Sequence, residues 1–327
     1  MSKVLSIMMA FGVSGVVVAD DPWLVFPGGD GPGKGKHVVL ISGDEEYRSE
    51  EALPMLGRML AERQGFKCTV LFAIDKESGE INPNEQGNIP GLEALETADV
   101  MVLGLRFRGL PDEQMKFIAD YLESGKPIIG LRTSTHAFKF GKDSKYAKWS
   151  FNSKQWPGGF GRQVLGETWI NHHGHHGKES TRGVVAKGAA DHPLLRGVKD
   201  VWGPTDVYGI TKLPADAKVL LDGQVLTGMK PDDGPVEGKK NDPMMPVAWI
   251  RARPMENGRS QMVVCTTMGA ATDFVAPGLR RLVANSVFHA CGLEVPAEMN
   301  VGIVGDYQPS EFGFDKGKKG LKPGDFK

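Results

Sequence analysis

Apolar runs of five or six residues alternate with longer stretches of helical period through the first half of the chain. His37–Ser42, Cys68–Ala73, Asp99–Gly104 and Pro127–Leu131 are expected as strands, and their unbroken apolar character is that of strands buried on both faces. Helices are expected at about Glu50–Gln64 and Asp112–Ser124. Pro111 ahead of Asp112 and Glu113 favours a helix start, and Gly125 favours a stop. A strand–helix–strand series implies an α/β fold with a mostly parallel sheet, right-handed crossovers and helices on both faces.

The pattern then breaks. Lys139 to Arg182 has no clean period and is dense in Gly, Trp, His and Lys. Trp149, Trp156, Phe160 and Trp169 are too apolar for a disordered segment, so an ordered insertion is expected. Strands resume at Gly183–Ala186, Lys218–Leu221, Pro246–Ile250 and Gln261–Thr266. A helix follows at about Pro277–Cys291, with Leu279, Leu282, Val283, Val287 and Ala290 at helical spacing. Residues 37–298 are expected to form one domain. Residues 20–36 should be extended, and 299–327 a tail pinned by Tyr307, Phe312 and Phe314.

Residues 1–19 have the form of a cleavable signal peptide. Lys3 supplies the positive end, Val4–Val18 the apolar stretch, and Val17-Val18-Ala19 the small-residue exit. The run is too short and too interrupted to span a bilayer, so a periplasmic or secreted protein without membrane attachment is expected. The formal charge of −1 offers no field for nucleic acid. Three widely spaced cysteines form no C-x-x-C pair; a Cys265–Cys291 disulfide is open.

In an open α/β sheet, ligands bind where strands end at their carboxyl edge. Four loops should meet there. The first carries Glu45, Glu46 and Tyr47 after the first strand, and the second Arg106 and Arg108 after the third. Arg132, Thr133, Ser134, Thr135 and His136 turn the corner after Leu131, where the strand is expected to run into a helix. Thr267 and Asp273 lie in the late loop. The corner resembles the elbow on which hydrolases and amidotransferases mount a nucleophile, yet it carries no Cys, which excludes glutaminase chemistry. Arg106 and Arg108 have an alternative role as structural ion-pair partners, and Ser49 and Glu50 as helix caps. His136 is placed for acid–base work. Asn171 to Gly177 holds four of the eight histidines, of which His172 and His175 are candidates for substrate contact or for a shared metal ion. Asp206 and Tyr208, two apart on an extended segment, project to one face.

Taken in order, Val38–Glu50, Gly130-Leu131-Arg132 with Thr-Ser-Thr-His, Asp191–Gly197, Asp206-Val207-Tyr208, Pro246–Trp249 and Gly258–Gly269 resemble the ThuA-like (trehalose-utilisation) family. The resemblance covers about His37 to Leu293 and implies the flavodoxin-like fold of the class I glutamine amidotransferase-like superfamily. It also implies a carbohydrate ligand. The chain departs from the family where His is usual, at Arg132, Ser49 and Ala270.

These readings give an exported protein that acts on or binds a sugar or oxidised sugar. Arg132, His136 and Glu46 are the expected catalytic groups; Glu45, Tyr47, Arg106, Arg108, Thr133, His172, His175, Asp206, Tyr208, Thr267 and Asp273 are the expected binding groups. Whether the protein is an enzyme is open. A non-catalytic carbohydrate-binding or scaffold protein is the alternative, and a metal-dependent hydrolase using the His172–His176 loop the second. No residue is assigned to a metal, and both the cofactor and assembly as a homo-oligomer are open. The insertion 139–182 is expected to fold over the carboxyl edge as a lid, bringing His172 or His175 near His136 and Arg132.

Overall fold

The computed structural model describes residues 21–327; the expected signal segment 1–19 lies outside them. A single ten-stranded sheet runs β1 (Trp23–Phe26), β3 (Lys67–Leu71), β2 (His37–Gly43), β4 (Val100–Leu105), β5 (Ile128–Leu131), β10 (Ser260–Thr266), β9 (Met245–Pro254), β8 (Ala217–Val225), β6 (Thr181–Val185) and β7 (Trp202–Gly203). The five strands from β3 to β10 in that order are mutually parallel, as the alternation predicts. Beyond them the sheet is antiparallel on both sides, so it is mixed. The cause is visible between β9 and β10. Five residues, 255–259, join them, far too few for a parallel crossover.

Successive residues of the central strands enter different cores. Val38 and Leu40 pack with α1 (Ser49–Gln64) and α3 (Pro277–Ala290); Val39 and Ile41 pack with α2 (Asp112–Ser124). Strands so enclosed must be apolar on both faces, which is why they are legible as unbroken runs. Helix α2 stops at Gly125, whose φ of 76° a side chain would oppose. Cys265 lies in the α2-side core and Cys291 in the other, with the sheet between them. The Cys265–Cys291 bridge is therefore excluded, and all three thiols are free and buried.

Two expectations change. After Leu131 the chain makes only a single 3-10 turn, Arg132–His136, rather than a helix. It is drawn into extended pairing with the β4 loop, where Arg108 N–H donates to Ala137 O and Lys139 N–H to Arg108 O. The insertion also divides. Tyr146, Trp149, Phe160, Val164 and Leu165 fill the α2-side core, and Trp249 donates to Leu165 O at 2.7 Å. Phe151 and the stretch from Trp169 to His176 reach the carboxyl edge. The last segment, expected as a tail pinned by Tyr307, Phe312 and Phe314, is a strap across that edge. Tyr307 donates to Ala271 O, Gly313 N–H to Glu46 O, and the N–H of Ile81 to Leu321 O.

Candidate functional site

Asp44 ties the first loop to the elbow. One carboxylate oxygen accepts the N–H groups of Glu46 and Tyr47 (2.8 and 3.1 Å), and the other accepts the Thr133 hydroxyl at 2.5 Å. The remaining elbow hydroxyls are also committed. Ser134 donates to Leu103 O at 2.7 Å and Thr135 to Arg132 O at 3.3 Å. No free nucleophile remains on the corner.

Arg132 is buried, with a φ of 37° that a non-glycine residue adopts only under strain. Its guanidinium lies between two rings, 4.1 Å from the centre of Tyr47 and 4.3 Å from that of Tyr208. It donates to Asp206 O (3.1 Å), Thr267 O (2.7 Å) and Asp206 Oδ1 (3.0 Å). Burial opposes its charge, but Tyr208, Tyr47 and Asp206 more than offset that, holding its pKa well above the ordinary value. Arg132 therefore positions other groups and offers no face to a ligand. Burial also pushes the Tyr47 hydroxyl up to about 12, and no hydrogen bond of good geometry relieves it.

Asp206 gathers three partners. Besides Arg132, it is met by His172 Nδ1 on Oδ2 at 2.6 Å and His176 Nδ1 on Oδ1 at 3.1 Å. These contacts hold its carboxyl below the usual range although burial raises it. Backbone pairing sets the register: the N–H groups of His173 and Gly174 donate to Val207 O, and Gly209 N–H to Asn171 O. His176, not His175, completes the group. His175 is exposed and turns away, its N–H bound by Glu179.

Glu45 and Arg108 are structural. Arg108 is fully buried, donating to Glu45 at 3.0 Å and to the carbonyls of Arg106, Pro83 and Glu85. Burial raises the Glu45 carboxyl. Arg106 bonds Glu45 and reaches Glu46 at 3.4 Å; Glu46 also faces His176 Nε2 at 3.7 Å. Asp273 is spent on Gly269 N–H, Ala270 N–H and Thr205, which fixes the late loop. Thr267 contributes its carbonyl to Arg132. No side-chain hydrogen bond caps the helix at Ser49 or Glu50, although Glu50 stands in its first turn, where a carboxylate meets the helix dipole. Ser49 reaches back to Ser42 and Gly43, and burial drives the Glu50 carboxyl up to about 8, opposed by Arg48.

His136 sits among Phe107, Phe151, Trp169 and Tyr208, with ring centres 5.1, 6.5, 5.7 and 6.2 Å away. Burial and the charges of Arg106 and Arg132 hold its pKa well below 6.5, so it is neutral. Its Nδ1 lies 3.1 Å from Thr135 Oγ1, whose proton goes to Arg132 O. That assigns the imidazole proton to Nδ1 and leaves Nε2 an acceptor.

The ring contacts form one continuous series whose two ends, Phe312 and Phe314, are joined by the strap backbone. Trp169 meets His172, His172 meets His176, and His176 meets Phe312 of the strap. Phe314, 56% exposed, covers Arg106, which covers Phe107; Phe107 meets His136, and His136 meets Trp169. Glu46 lies beside this series at His176, and the buried group of Tyr47, Tyr208 and Arg132 packs against it. The strap residues and His176 escaped the sequence reading as site groups. Phe312 and Phe314 were visible only as tail anchors, and nothing local distinguishes His176 from His175.

No family model and no curated protein matches the chain. Among solved structures, a ThuA-like protein from Bacteroides uniformis ATCC 8492 shares 15% identity at a TM-score of 0.49, over 80% of this chain and 93% of its own. A ThuA-like protein from Parabacteroides merdae ATCC 43184 shares 14% identity at a TM-score of 0.48, over 80% and 92%.

Proposed function

We propose that the protein is an exported, ThuA-like carbohydrate-active protein of the glutamine amidotransferase-like superfamily, with a small sugar or oxidised sugar bound at the carboxyl edge of its sheet. The supporting observation is the series of aromatic rings, with Trp169, Phe107 and Phe312 partly exposed and Phe314 exposed, that runs through His172 and His176 beside Glu46. Flat apolar faces beside clustered polar tips suit a sugar ring, which has apolar faces and a polar edge. Glu46 and the acceptor Nε2 of His136 are the groups that move protons, with Arg106 holding Glu46 in place. Arg132 holds Asp206 rather than the ligand.

A binding protein without turnover is favoured by one observation: every hydroxyl of the elbow is already engaged. Both readings are tested by one panel of disaccharides and 3-keto sugars followed by calorimetry and product analysis. Trp169→Ala and Phe312→Ala should each weaken binding. Binding without product from any sugar retains the second reading alone; no binding of any sugar overturns both.

A further inference from the structure

We infer that His172, His176 and Asp206 form a binding site for one divalent transition-metal ion of the Zn2+ class. Their donor atoms all lie within 4.8 Å of one another. Two imidazoles and one carboxylate form a borderline donor set suited to Zn2+, Mn2+, Co2+ or Fe2+, and three protein ligands leave positions for water or substrate.

The geometry is built rather than incidental. Both imidazoles present Nδ1 to the same buried carboxylate, at 2.6 and 3.1 Å, and their ring centres are 4.8 Å apart. The His172 segment is clamped to the Asp206 segment by backbone pairing on both sides. Gly174 passes so close that an added Cβ would lie 3.1 Å from Asp206 Cβ. Arg132 then acts as the positioning residue behind a ligand, fixing the carboxylate through Oδ1, an arrangement usual around metal-bound carboxylates. The His172 and His176 side chains are 33% and 36% exposed, so an ion has a path in and an open coordination side. Glu46 Oε1, 3.7 Å from His176 Nε2, adds negative charge at that side and partly offsets Arg132.

The same Nδ1 atoms face Asp206 as hydrogen-bond donors without the ion and serve as ligands with it, the ring proton of each then standing on Nε2. The inference does not depend on the sugar reading, because the probe is the metal alone.

The test uses the full chain purified without a His tag, stripped with chelator and titrated with Zn2+, Mn2+ and Co2+. Calorimetry should show one equivalent bound at micromolar Kd or tighter. Co2+ should give a visible absorption band from nitrogen and oxygen ligands, and Tm should rise. His172→Gln and His176→Gln should each weaken binding at least about tenfold, and Arg132→Lys about 10- to 100-fold. His173→Gln with His175→Gln should leave it unchanged, which separates the site from adventitious capture by a His-rich loop. Stoichiometry below one-tenth with millimolar Kd for all three ions overturns the inference. So does binding lost only in the His173/His175 variant. If the glutamine variants fail to fold, the Co2+ spectrum and stoichiometry of the unsubstituted protein decide.

Discussion

Arg132 and Asp206 are 74 residues apart in sequence, yet the guanidinium binds both the backbone and the carboxylate of Asp206, at 3.1 and 3.0 Å. Both groups are almost wholly buried. Removing Arg132 takes the guanidinium from a buried carboxylate and leaves it with the two imidazoles alone. Arg132→Ala is expected to lower unfolding stability by about 3–5 kcal/mol in urea titrations, more than loss of an exposed pair would. A loss under about 1 kcal/mol would show that the pair is not buried as described.

Glu50 carries the opposite pH signature. Its carboxyl is raised to about 8 in the folded protein, so folding disfavours the ionised form. The resulting penalty appears as pH rises past the unfolded value near 4.3 and is complete above about 8. Glu50→Gln should therefore gain Tm relative to the parent between pH 5 and 9, with no difference near pH 4. A gain that is flat across this range would contradict the assignment.

His136 should remain neutral where an ordinary histidine titrates. Its folded pKa is depressed, so stability is lost as pH falls below the unfolded value of about 6.5 towards the folded one. In 15N-histidine NMR spectra its signals should hold the neutral Nδ1–H pattern from pH 8 to pH 5. A midpoint near 6.5 would remove it as the proposed base.

Gly161 touches the elbow from the insertion: a Cβ there would fall 1.8 Å from Thr135 O. Gly161→Ala should cost roughly 1–3 kcal/mol by overpacking, and it should move the turn that carries His136. Gly141, which has open space around it, is the control and should tolerate Ala. Thermal unfolding of both variants checks the pair.

The central strands were legible because burial on both faces writes itself as unbroken apolar runs, and Gly125 marked a helix end. The antiparallel half was legible as strands but not as direction, since Pro246–Ile250 has no pattern that records its neighbour's orientation. At the site, Arg132 could be named as a charged residue at the end of a buried strand, Asp206 and Tyr208 from their spacing on an extended segment, and His172 from the run of histidines. Their roles could not. Whether Arg132 faces a ligand or a carboxylate depends on residues 74 and 135 positions away. His175 and His176 differ only in which way a turn directs them, and that turn is set by Glu179 and Lys240.

The strap imposes an order on assembly. Arg48 donates to Gly313 across 265 positions, and Phe312 stacks on Tyr47 with ring centres 5.7 Å apart. During synthesis the polar loop after β2 therefore emerges long before the rings that cover it, and contacts of such separation form late because loop closure must come first. Until then Tyr47 lacks its stacking partner, and the mouth lacks one wall. Ligand-binding competence should thus be the last property the folding chain acquires, trailing the sheet itself.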